Sequence, residues 1–175
     1  MKVRNGFVSN SSSSSFLVVF DKMPEDVYEV HRLLFPNGAE TVCPYDYEIQ
    51  SHRVAEEVWN DIESQKKELP YSKEFVHDEF SNTAYTQVRK EFFAEQQQVY
   101  SLKGKERTNF SEELWKKKDA RHEELQKEMS EKFLKEHDGK VILYFTYSDN
   151  DGPFYSALEH GEIFSELPHI RISYH

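Results

Sequence analysis

SSSSSFLVVF, residues 11–20, is the stretch whose reading decides the fold. Its second half, Phe16 to Phe20, is short, apolar on both faces and rich in β-branched and aromatic side chains, which predicts a central strand. The serines before it have two physical readings. As low complexity they form a flexible segment with little to bury. Flanked by Phe7 and Phe16, which read as core anchors, they form an ordered turn whose hydroxyls satisfy the backbone. Such a turn can also enclose an anion, phosphate above all, with Lys2 and Arg4 adding positive charge. Ser11, Ser12, Ser13 and Ser14 are the candidate ligand-binding residues of that cradle. The Gly-x-x-x-x-Gly-Lys pattern of a P-loop is not there.

Working outward, Pro24, Glu25 and Asp26 open a helix expected to run to Leu34, before Phe35, Pro36, Asn37 and Gly38. A second amphipathic helix is expected from Gln50 to about Leu69, with Val54, Ala55, Val58, Trp59 and Ile62 on its apolar face. Tyr85, Val88, Phe92, Phe93, Val99 and Tyr100 repeat the pattern until SLKGKERTN, where Gly104 is the expected break. The longest helix is expected over residues 111–137, capped by Asn109 or Ser111. Its stripe of Trp115, Leu125, Met129 and Phe133 is interrupted by Lys118 and His122, so the helix reads as a solvated outer helix or as a partner-binding arm. Val141 to Tyr147 is a second two-faced apolar strand. Residues 169–174 alternate, with Ile170, Ile172 and Tyr174 on one face and His169, Arg171 and Ser173 on the other. The expectation is one α+β domain over residues 1–175, in which strands from both chain ends form a sheet of at least three strands. A helical region, residues 24–137, packs on that sheet.

The chain has 175 residues, 13 Phe, 10 Tyr and 2 Trp, enough to enclose a core, so its mean hydropathy of -0.81 reflects a charged surface. A formal charge of -10 argues against general nucleic-acid binding and leaves a basic protein partner as the expected macromolecular contact, through the acidic surface or helix 111–137. The single cysteine, Cys43, excludes an internal disulfide and suits a reducing compartment. FLVVF is too short for the core of an export signal and no apolar run is long enough to span a membrane, so a cytoplasmic protein is expected.

Candidate chemistry concentrates a second time near the C-terminus. Asp149, Asp151, Glu159, His160, Glu162, His169, Arg171 and His175 fall between Tyr147 and His175. Asp-Asn-Asp-Gly is a turn signal first and does not match an EF-hand. If strands 141–147 and 169–174 pair as antiparallel neighbours, Asp149 or Asp151 shares a sheet end with His160 and His169. Those four are the candidate catalytic residues, with Asp149, His160 and His169 as ligands of a divalent metal and Arg171 as an anion clamp. Mixed imidazole and carboxylate ligands suit zinc, manganese or iron and could activate a water. The spacing matches no established metal motif such as His-Glu-x-x-His.

GFVSNSSSSSF at one end, and SDNDG with LEHGEIFSELPHIRISYH at the other, resemble segments of uncharacterised small bacterial and bacteriophage proteins. The resemblance implies that the two ends form one unit and carries no activity with it. The functional expectation is binding of a protein or a small anionic ligand, and the alternative is a small metal-dependent hydrolase acting on a phosphate-containing substrate.

Overall fold

The computed structural model describes residues 13–43 and 48–174. The fold is α+β, and backbone contacts divide the described residues into two compact units. One unit joins the two chain ends, up to Pro70 and from Gly139; the other is residues 71–138.

In the first unit, β1 (Ser13–Phe20) is the middle strand of a three-stranded sheet, between β4 (Val141–Ser148) and β5 (His169–Tyr174), and antiparallel to both. Ser13, Ser14 and Ser15 therefore belong to the strand itself, not to a turn before it. A central strand buries both faces, and every residue from Ser14 to Phe20 is buried. Phe16, Val18 and Phe20 lie across from Phe145, Leu143 and Val141 on one face. That face joins a core with α1 (Val27–Leu34), α2 (Ser51–Gln65) and α7 (Pro153–His160), through Val30, Val58, Ile62 and Leu158. Pro24 precedes α1, which starts later than expected because Asp26 is its N-cap and accepts the Glu29 backbone N–H at 2.7 Å. A two-residue ribbon, β2 (Thr41–Val42) with β3 (Ile49–Gln50), precedes α2 and is too short to leave a periodic signal. The open edge of β4 is covered at one point, where buried Gln65 accepts the Tyr144 N–H at 3.0 Å.

The strand order corrects one expectation. Strands β4 and β5 are not neighbours; β1 separates them, and both run against it. Ser148 pairs with Ser13, whereas His169 pairs with Val18. The Asp149 turn and His169 thus lie at opposite ends of the sheet, about 16 Å apart along the strands. All three strands were readable from sequence, Phe16 to Phe20 as a central one, and what failed was the assumption that the other two pair with each other.

The second unit is helical: α3 (Lys73–Glu79), α4 (Ser81–Glu91), α5 (Phe93–Ser101) and α6 (Gly104–Glu136). Helix α6 begins seven residues before Ser111, so neither Asn109 nor Ser111 caps it, and Gly104 starts the helix with a φ of 57°. It packs along α3, α4 and α5, the outer-helix alternative rather than a projecting arm. Its buried positions are Leu114, Lys118, Leu125, Gln126, Ser130 and Phe133, a stripe at helical spacing in which polar residues take apolar places. Trp115, expected on that stripe, is 55% exposed. No helix among the described residues is long and apolar enough to cross a membrane.

Candidate functional site

The serine tract and the C-terminal cluster meet. Ser14 sits at the end of the apolar face of β1, across from Tyr147 on one side and Ser173 on the other. Helix α7 starts at Pro153, after Gly152, whose φ of 108° only glycine adopts without strain. Eight residues later the helix ends against Gly161, where a Cβ would fall 2.3 Å from the Ala157 carbonyl oxygen and 2.9 Å from Val42. This packing delivers Glu159 and His160, the last two residues of α7, to the Ser14 end of the sheet.

Glu159 is 1% exposed. Its Oε1 accepts the Ser14 hydroxyl at 3.1 Å, and its Oε2 accepts the Asp149 backbone N–H at 2.9 Å. Arg171 donates to Ser14 Oγ from Nε at 3.2 Å and from Nη2 at 3.1 Å. The same Nη2 lies 3.3 Å from His160 Nδ1. A guanidinium only donates, so Nδ1 accepts and the neutral imidazole carries its proton on Nε2, which faces Glu159 Oε2 at 3.5 Å. One serine of the tract, Ser14, hydrogen-bonds a carboxylate, and that carboxylate is the chain's own Glu159.

The other expected residues divide. Asp149 joins the cluster, and one atom each from Asp149, Glu159 and His160 lie within 4.8 Å of one another, a spacing open to a metal ion. Asp149 Oδ1 is buried with no hydrogen-bond partner among the described residues. An ion there would require His160 to give up either the contact at Nδ1 or the proton on Nε2. His169 stands apart, bonded through Nδ1 to the Leu167 carbonyl at 2.9 Å. Asp151 is exposed at the end of the 3-10 turn Asp149–Asp151, where Ser148 Oγ accepts the Asn150 N–H, the ordinary role of such a turn. Ser13 is partly buried in β1, and Ser11 and Ser12 lie outside the described residues.

Sequence reasoning missed two groups. The first is on the core face, where the Tyr147 hydroxyl donates to Asp61 Oδ2 at 2.9 Å and Tyr155 donates to Glu57 at 2.9 Å. Burial raises the Asp61 carboxyl above its ordinary value of 3.8, opposed by the Tyr147 hydrogen bond and reinforced by the Glu57 charge. Burial, followed by the Asp61 charge, raises Tyr147 well above the usual phenol range. Because the folded-state pKa of Asp61 is raised, its contribution to stability is present below about pH 3.8 and is lost as pH rises through the folded value. Asp61→Asn keeps an acceptor for Tyr147 and removes that titration. Its unfolding temperature, relative to wild type, is therefore expected to increase between pH 3 and pH 7; a pH-independent difference would contradict this account.

The second group is in the helical unit. Gln96, Val99 and Tyr100 of α5 and Arg107, Ser111, Leu114, Trp115 and Lys118 of α6 line a pocket of about 160 Å³. Lys118 is 6% exposed. Its ammonium donates to Gln96 Oε1 at 3.3 Å and lies 5.4 Å from the centre of the Trp115 ring. Other polar residues on this side of α6 are matched: Gln126 donates to the His77 carbonyl at 2.9 Å, His122 bonds the Ser81 carbonyl at 2.9 Å, and Arg121 pairs with Glu91 at 3.0 Å. Among the described residues Lys118 has no carboxylate within ion-pair distance. The signal was in the spacing, since Lys118 follows Leu114 by four residues and precedes Leu125 by seven, but a lysine there reads as an interruption. No protein-family model, curated protein or solved structure matches this chain.

Proposed function

We propose that the chain acts by binding a small anionic ligand, and that the ligand enters the pocket between α5 and α6. One observation carries this reading: Lys118 is a buried ammonium whose hydrogen-bond partner, Gln96, is neutral. Lys118 lines the pocket, and a ligand carboxylate or phosphate would supply the opposite charge that no described residue brings to its ammonium. Binding is favoured over phosphate hydrolysis at the C-terminal cluster because Ser14 and Arg171, the groups that would hold a phosphate there, are turned towards Glu159 and His160.

Thermal unfolding of wild type and Lys118→Met, in sodium acetate and in sodium chloride at equal ionic strength, tests the reading. Acetate is expected to raise the wild-type unfolding temperature by mass action. Lys118→Met retains the apolar stem without the charge, so it is expected to be the more stable chain without ligand and to ignore acetate. A less stable variant, with acetate acting no differently from chloride in wild type, would mean that Lys118 is satisfied within the fold.

A further inference from the structure

Resting on that reading, we infer that the ligand is a planar aromatic monocarboxylate about the size of benzoate. Charge sets the first limit. Among the described residues Lys118 is the one buried cation, and Arg107 on the same lining is exposed, so one negative charge balances the site. Size sets the second, because about 160 Å³ is well below the roughly 300–1,000 Å³ of pockets that hold drug-sized ligands. A single ring with one acidic group is of that scale, and a nucleotide is not. The walls set the third. Val99, Tyr100, Leu114 and Trp115 surround the polar end with apolar and aromatic surface, and Tyr100 and Trp115 are 67% and 55% exposed. Two large aromatic side chains left open beside a buried cation suit a flat ring, which stacks on their faces while its carboxylate reaches Lys118. Ser111 and Gln96 supply neutral hydrogen-bonding groups on the same lining.

Titration calorimetry on the full wild-type chain, with benzoate, acetate, benzyl alcohol and inorganic phosphate at equal ionic strength, separates ring from charge. Benzoate is expected to bind at least ten-fold more tightly than acetate, and benzyl alcohol is expected not to bind. Lys118→Met should abolish benzoate binding, and Trp115→Ala should reduce benzoate to the level of acetate. In a Trp59→Phe background Trp115 is the only tryptophan, so its emission should change with benzoate and not with acetate. Acetate binding as tightly as benzoate, or phosphate binding more tightly, would overturn the aromatic ligand and leave anion binding standing. Failure of benzoate, acetate and phosphate alike would overturn both.

Discussion

Replacing Glu159 by alanine is expected to cost about 3–5 kcal/mol, enough to bring a domain of ordinary stability close to unfolding at room temperature. The carboxylate is 1% exposed and serves the Ser14 hydroxyl with one oxygen and the Asp149 backbone N–H with the other. Each buried donor left without an acceptor costs about 1–3 kcal/mol. Glu159→Gln should fall between wild type and alanine, because an amide oxygen can serve one of the two donors while the amide NH2 opposes the other. Urea denaturation read by circular dichroism measures both. If Glu159→Ala unfolds within about 1 kcal/mol of wild type, the cluster does not hold the sheet end together. A double-mutant cycle with Ser14→Ala should give a coupling of about 0.5–3 kcal/mol, the range for residues sharing one network.

The second large effect is expected at Phe164. Its ring lies 5.3 Å from Phe16, 4.9 Å from Phe145 and 6.5 Å from Tyr147, so it closes the aromatic core between β1, β4 and the segment that leads from α7 to β5. The side chain is 1% exposed. Phe164→Ala should cost about 3–5 kcal/mol through lost burial and the cavity left behind, and Phe164→Leu clearly less. The same denaturation series tests it, and equal losses for alanine and leucine would argue against a packed cavity. Phe164 also anchors the chain just after Glu159 and His160. Its loss is therefore expected to broaden the amide signals of Asp149 and Glu159 as well as to lower stability.

What was legible in the sequence was what periodicity encodes. Phe16 to Phe20 and Val141 to Tyr147 are short runs apolar on both faces, residues 169–174 alternate, and all three are strands. What was not legible depends on partners far away in the chain. The serines before Phe16 look like a turn because hydroxyl side chains compete for the backbone, yet Ser14 extends the strand because Glu159, 145 residues later, accepts its hydroxyl. His169 looked like a partner of Asp149 only while β4 and β5 were imagined as neighbours. With β1 between them, Arg171 rather than His169 reaches Ser14 and His160. The boundary of α6 failed for a local reason: SLKGKERTN is polar and contains Gly104, but lysine, arginine and glutamate are good helix formers, and the helix absorbs all of it after Lys103. Lys118 was read as a blemish in an apolar stripe and is the residue on which the functional reading rests.

The most direct test of that reading is a crystal structure of the full chain grown with sodium benzoate. The account predicts a benzoate ring between Tyr100 and Trp115, with its carboxylate within hydrogen-bond distance of the Lys118 ammonium. A pocket holding only water, with Lys118 paired to a carboxylate of the chain itself, would contradict it.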